Sequence, residues 1–213
     1  PIERKSEQKM KISELIANKL KSSIEVNGEA SLVLSGGNSP LKIYNELSNT
    51  NINWSSVNTT LVDDRLVEKN HPDSNQKLLF DNLIKNKANA LNFIPLSKDI
   101  IKKGFVQTPF DICLLGMGLD GHFASLFPDM VNNSNAFDLN EHPEILEIAA
   151  HGDPFVPRIT MNFPLILKSH LIILLVKGKE KERVLNLSYK DKTLPLYYLL
   201  NNKNINLHIE NIN

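Results

Sequence analysis

A histidine and a carboxylate lie two residues apart in the glycine-rich segment 116–128. Three glycines among its first six residues let the backbone turn sharply, which brings Asp120 and His122 into one small volume. An imidazole can gain or lose a proton near neutral pH, so this pair is suited to acid–base chemistry. The preceding residues 110–115 are typical of a buried strand in a parallel sheet, and ligands bind where such strands end.

The same segment also matches G-x-G-x-x-G, the pattern of dinucleotide-binding loops. Such a loop should be followed ~20 residues later by an acidic ribose ligand at the end of a second strand. Residues 129–144 are instead polar and rich in asparagine, which argues against a dinucleotide. The other alternative is a purely structural turn, and the titratable histidine argues against it.

A second glycine turn, SGGNSP at residues 35–40, lies between a predicted strand and a predicted helix. Its amides and hydroxyls, those of Gly36, Gly37 and Ser39 among them, can face an anion at the helix N-terminus, where the helix dipole favours negative charge. Phosphate is the natural candidate. The alternative is an ordinary tight turn with a serine cap.

Three more charged clusters are expected at the same edge of the sheet. Asp63, Asp64 and Arg65 follow a strand directly, and a guanidinium there could bind a phosphate or an oxyanion in a bidentate manner. Arg158 precedes a β-branched pair, and Lys181 belongs to a basic turn after the strongest predicted strand. Solvated surface charge is the alternative for each cluster.

Alternating patterns of strand and helix predict an α/β fold, and the ends of its strands would position these clusters. Apolar runs predict strands at 30–34, 59–62, 91–94, 110–115 and 171–176, with weaker signals at 145–150, 159 and 206–209. Helical spacing predicts helices at 10–20, 41–47, 73–83 and 179–187. The alternation implies parallel strands and a three-layer helix, sheet, helix architecture in a single domain, 1–213.

Composition limits the partners. The 24 basic residues balance the 24 acidic residues, so the overall field favours neither nucleic acid nor a membrane. We find no apolar run of ~18 residues and no signal peptide, and we expect a cytoplasmic protein. The single cysteine, Cys113, is predicted to be a buried hydrophobic residue. The other five histidines lack the spacing of zinc ligands, so no metal is expected.

Five blocks resemble the signature of the 6-phosphogluconolactonase family: LSGGNSP at 34–40, VDDR at 62–65, GMGLDGHFASLFP at 116–128, RIT at 158–160 and GKEK at 178–181. The resemblance covers nearly the whole chain and implies a modified Rossmann-like, mostly parallel sheet. Asn38, Ser39 and Asp64 depart from the family pattern, but each keeps its hydrogen-bonding class.

The wider superfamily includes glucosamine-6-phosphate deaminase. The deaminases carry a glutamate five positions after the matching histidine, where it orients that histidine for sugar ring opening, and this chain has Phe127 there. They also carry a tyrosine after the acidic pair, where this chain has Arg65. Both differences favour the lactonase branch, because a phenyl ring cannot replace an acid in that task.

The resemblance implies hydrolysis of 6-phospho-D-glucono-1,5-lactone to 6-phospho-D-gluconate, in the oxidative pentose phosphate pathway, without a metal or organic cofactor. His122 would act as general base, and Asp120 or Asp63 would fix its imidazole. Amides of the 116–121 turn or Arg65 would stabilise the oxyanion. The phosphate would be bound by Gly36, Gly37, Ser39, Arg158 and Lys181. The alternatives are glucosamine-6-phosphate deaminase or isomerase chemistry and a non-catalytic sugar-phosphate-binding protein.

Overall fold

The computed structural model describes residues 10–101, 103–104 and 106–212. Its strands fall into two sheets, one of six strands and one of three. The strands are β1 (Ala30–Leu34), β2 (Val57–Leu61), β3 (Asp63–Arg65), β4 (Asn92–Phe93), β5 (Ile112–Leu115), β6 (Ile145–His151), β7 (Val156–Met161), β8 (Ile172–Lys177) and β9 (Leu207–Ile212).

The larger sheet has the order β4-β2-β1-β5-β8-β9, and every neighbouring pair in it is parallel. Strands β1, β5 and β8 of this sheet are mostly apolar because both of its faces are covered. On β5, for example, Ile112 and Leu114 belong to the core on one side of the sheet, whereas Cys113 and Leu115 belong to the core on the other. The predicted α/β architecture with a mostly parallel sheet is therefore confirmed.

Seven α-helices connect the strands within the described residues: α1 (Ile12–Asn27), α2 (Leu41–Ser48), α3 (Asn75–Asn82), α4 (Ser134–Phe137), α5 (Phe163–Ile166), α6 (Lys179–Ser188) and α7 (Pro195–Leu200). Helix α1 buries Ile16 and Leu20 against the sheet and continues beyond the predicted end at residue 20. It ends at Gly28, which has a φ of 82° and donates its N–H to the carbonyl of Ile24. None of the described helices is long and apolar enough to cross a membrane.

The smaller sheet was not predicted. Its order is β3-β7-β6, with antiparallel pairing throughout. Strand β3 consists only of Asp63, Asp64 and Arg65, which were predicted to follow a strand directly and not to form a strand of their own. Strand β2 in fact ends at Leu61, and the chain enters the second sheet two residues later. The register of that sheet places Arg65 opposite Arg158.

The buried cysteine is confirmed as a core residue. Cys113 has no exposed surface, and burial raises the pKa of its thiol to about 12. A thiol with so high a pKa stays protonated at neutral pH and is a poor nucleophile.

Candidate active site

A crevice with a volume of about 130 Å³ opens where β1, β5 and β8 end. Of the nine residues predicted to form the site, eight line this crevice, and the ninth, Asp120, contacts His122. The lining residues are Ser35, Gly36, Gly37, Asn38, Ser39, Asp63, Arg65, Asn75, Gly116, Met117, His122, Ala124, Arg158 and Lys181. Segments far apart in the sequence therefore meet at one edge of the parallel sheet, as the positions of the motifs predicted.

Asp120 is the carboxylate that contacts His122. Its Oδ1 lies 2.5 Å from His122 Nδ1 and also accepts the backbone N–H of His122 at 3.2 Å. Burial raises the pKa of Asp120, but the hydrogen bonds and charge of His122 outweigh it and lower that pKa below its ordinary value. An ionised Asp120 favours a proton on Nδ1, which leaves the lone pair of Nε2 available to accept a proton.

Gly118 makes this contact between the imidazole and the carboxylate possible. A Cβ at residue 118 would overlap the His122 ring at Nδ1 and Cε1 and would also crowd Asp120 Oδ1. The backbone here is tied in place, since Gly118 donates its N–H to the carbonyl of His122 at 2.9 Å. The imidazole would have to move to accommodate any side chain at this position.

We expect the Gly118→Ala substitution to lower kcat by about 10-fold, because displacing a catalytic group by a fraction of an ångström lowers the rate steeply. Steady-state kinetics with the phosphorylated lactone that the sequence resemblance implies would measure the loss. Leu119→Ala is the matched control, because Leu119 belongs to the same turn, is 57% exposed and does not line the crevice. An equal loss in both variants would contradict the steric explanation.

Asp63 also faces the crevice, but it does not orient the histidine. Its side chain is buried and accepts a hydrogen bond from Ser125 Oγ at 2.6 Å, and its backbone carbonyl accepts one from Asn75 Nδ2 at 2.9 Å. Asp63 and Asp120 were both considered as the partner of His122, and the structure brings only Asp120 into contact. Asp63 is placed instead to accept hydrogen bonds from a ligand in the crevice.

Asp64 points away from the crevice and has a structural role. Its carboxylate accepts the backbone N–H groups of Asn75 at 2.7 Å and of Gln76 at 3.2 Å, at the start of α3. Burial raises the pKa of Asp64, although these hydrogen bonds oppose that effect. The alternation of side chains along β3 thus gives its two aspartates different tasks.

Asn75 is a site residue that the sequence analysis missed. It lines the crevice, accepts a hydrogen bond from Arg65 Nη1 at 3.1 Å and holds the carbonyl of Asp63. Gly36 packs so closely against it that a Cβ at residue 36 would overlap the Asn75 side chain. No pattern around residue 75 indicates this contact, because it links three separate segments of the chain.

Two guanidinium groups lie side by side in the crevice. Arg158 is buried, with Nε donating to the carbonyl of His151 and Nη2 to that of Pro154, each at 2.9 Å. Arg65 donates from Nη1 to the carbonyl of Asp73 at 2.7 Å, and its Nε is buried without a hydrogen-bond partner. Neither group forms a salt bridge within the described part of the chain.

This arrangement gathers positive charge in the crevice, and the charges of Asp63, Asp153 and Asp73 only partly offset it at Arg158. Burial, together with the neighbouring charge of Arg65, lowers the pKa of Arg158. Burial and the charge of Lys177 likewise lower the pKa of Lys181, which lines the same crevice. A bound dianion would relieve the repulsion and the lost hydration that cause both shifts. The buried hydroxyl of Ser35, which has no hydrogen-bond partner, offers a further donor.

The chain is similar to known proteins over almost all of its length. The model of the family described as glucosamine-6-phosphate isomerases/6-phosphogluconolactonase matches residues 3–208. A 6-phosphogluconolactonase from Neisseria meningitidis is 29% identical, over 97% of this chain and 95% of the relative. A Rhizobium meliloti protein of the same name is 33% identical, over 80% of this chain and 78% of the relative.

Solved structures show the same fold. The crystal structure of a 6-phosphogluconolactonase from Shewanella baltica matches with a TM-score of 0.82 and 29% identity, covering 93% of this chain and 90% of that one. A second, from Thermotoga maritima, matches with a TM-score of 0.79 and 27% identity, over 94% of each chain. With the family model spanning almost all of its residues, this chain belongs to the glucosamine-6-phosphate isomerase/6-phosphogluconolactonase family.

Proposed function

We propose that this protein is a 6-phosphogluconolactonase, which hydrolyses 6-phospho-D-glucono-1,5-lactone to 6-phospho-D-gluconate. The observation that carries the proposal is a single crevice in which a histidine, held at Nδ1 by Asp120, lies together with three cationic side chains. The histidine can activate water for attack on an ester carbonyl, and the cationic side chains can bind a phosphate. The name 6-phosphogluconolactonase shared by the relatives supports the same activity.

In the proposed mechanism, His122 Nε2 takes a proton from a water molecule as the water oxygen bonds to the lactone carbonyl carbon. The carbonyl oxygen becomes an anion in the tetrahedral intermediate. When that intermediate collapses, the bond from carbon to the ring oxygen breaks, and His122 returns the proton to the ring oxygen. Asp120 keeps the other imidazole proton on Nδ1 and stabilises the transient imidazolium.

The hydrogen bonds within the glycine turn reduce the number of groups that can donate to the oxyanion. The amides of Gly118 and Gly121 already donate to backbone carbonyls, and the amide of His122 donates to Asp120. Arg65, with an unpartnered Nε, and the remaining amides of the turn are the donors that we propose.

The proposed phosphate site lies in the part of the crevice that is lined by the 35–39 turn, directly before α2. Gly36, Gly37 and Ser39 present amides and a hydroxyl there, close to the positive end of the helix dipole. Arg158 and Lys181 supply the charge. We also infer that residues 1–213 form one domain, because the crevice takes residues from both sheets and the family model spans 3–208.

A coupled assay tests the proposal. Glucose-6-phosphate dehydrogenase would generate the lactone, and proton release would be followed with and without this protein, with spontaneous ring opening subtracted. We expect faster proton release with the protein present. Release of ammonia from glucosamine 6-phosphate would instead establish deaminase chemistry, and binding of the sugar phosphate without hydrolysis would establish a non-catalytic protein.

A further inference from the structure

Phe127 lies at the centre of a stack that extends from His122 to the tip of the β6–β7 hairpin. One contact of its ring is with the imidazole of His122, at a centroid distance of 4.7 Å. Another is with the ring of His151, at 5.1 Å and with an interplanar angle of 21°. The guanidinium carbon of Arg158 lies 5.4 Å from the same ring centroid. The proposed base and a proposed phosphate ligand therefore share one aromatic neighbour.

His151 is held firmly in this stack through both ring nitrogens. Nε2 lies 2.9 Å from Asp129 Oδ2, and Nδ1 lies 3.0 Å from the carbonyl oxygen of Ala149. Both partners are acceptors, so the imidazolium form, which has two N–H donors, satisfies both contacts. These hydrogen bonds, that of Ala149 first, raise the pKa of His151 against the opposing effects of burial and of Arg158.

The contact between His151 and Asp129 joins two separate parts of the site. Asp129 follows the segment that carries His122, whereas His151 ends β6 in the hairpin whose next strand carries Arg158. The pair is too exposed to contribute much to stability, with 26% of the His151 side chain and 66% of the Asp129 side chain accessible. Its location points to a geometric role.

We propose that His151 is a positioning residue: fixed by Asp129, its ring supports Phe127, and Phe127 in turn holds the imidazole of His122 in its reactive orientation. The inference rests on the proposed hydrolytic function. Gly152, next to His151, also lies close to Phe127, since a Cβ there would come within 3.1 Å of the ring atoms Cε1 and Cζ. The contacts with His151 and Gly152 therefore leave the Phe127 ring little room to move.

The test compares His151→Ala with His151→Phe. The alanine variant should lose about 10-fold in kcat with a smaller change in KM, because removing the support displaces the base while the backbone carbonyl that binds Arg158 remains. The phenylalanine variant should recover most of that kcat, since a phenyl ring can stack on Phe127. His208→Ala is the matched control. It removes another contact between a histidine and a carboxylate, 3.1 Å from Glu210 on β9, and should leave kcat unchanged.

A second measurement does not depend on activity. The ring protons of His122 lie in the ring current of Phe127, so their NMR resonances should shift in His151→Ala and stay in place in His208→Ala. Unmoved resonances, or a loss of kcat that disappears when rates are normalised to the folded fraction, would overturn the positioning role. If the wild-type protein failed to hydrolyse the lactone, the proposed function would fail, while the resonances would still decide whether His151 positions His122.

Discussion

Replacing His122 with alanine is expected to lower kcat by about 10²- to 10⁴-fold, the usual contribution of a general base. KM should change little, because the cationic residues that we assign to the phosphate remain in place. The side chain is 28% exposed, so truncation creates no large buried cavity and the fold should persist. Initial rates in the coupled assay, with thermal unfolding measured in parallel, would quantify the effect.

His170→Ala is a suitable control for this experiment. His170 is exposed at the beginning of β8, at the opposite end of that strand from the crevice. Its removal should leave both kinetic constants unchanged. Turnover near the wild-type value in His122→Ala would remove this histidine from the mechanism and would leave the proposed hydrolysis without a base in the turn.

Replacing Arg158 with alanine is expected to affect binding more than turnover. A hydrogen bond to a charged group contributes about 1.5–3 kcal/mol, and about 1.4 kcal/mol corresponds to a factor of ten, so KM should rise by about 10- to 100-fold. The KM of Arg158→Lys should fall between those of the wild type and of Arg158→Ala, because lysine keeps the charge but loses the planar, forked arrangement of donors. Steady-state kinetics over a wide range of lactone concentrations would separate KM from kcat.

The matched control for charge is Arg183→Ala, on an exposed turn of α6. An unchanged KM in the Arg158 variants would contradict a role in phosphate binding. Because Arg158 is buried and satisfies the carbonyls of His151 and Pro154, its alanine variant should also unfold more easily. The lysine variant therefore serves as the test of binding if the alanine variant does not fold.

The parallel sheet could be predicted because the strands at its centre are recognisable from the apolar residues within each of them. Residues 171–176 are a continuous apolar run and residues 30–34 are apolar except for Ser31, and the structure has β1 at Ala30–Leu34 and β8 at Ile172–Lys177. Helix α7 was not predicted, although Pro195 at its beginning is well suited to the first turn of a helix.

The second sheet had a weaker signal: strands were predicted at 145–150 and at 159, whereas β3 and the pairing of these strands were not. A strand made only of Asp63, Asp64 and Arg65 has no apolar alternation, and its pairing with β7 is fixed by residues almost a hundred positions away. The candidate site was predictable where a motif contained the residues, as with Asp120 and His122. Asn75 and His151 were missed because their roles depend on contacts across the fold that spacing within one segment does not reveal.

The β6–β7 hairpin around Arg158 should accept changes in its length less readily than a surface turn usually does. Tips of hairpins generally accept insertions and deletions, because few contacts depend on their backbone. Here the carbonyls of His151 and Pro154 bind the guanidinium, while Phe155 beside them is 76% exposed. Changes in the identity of exposed side chains should therefore be neutral at this tip, whereas a change of even one residue in its length would remove the arginine from the crevice.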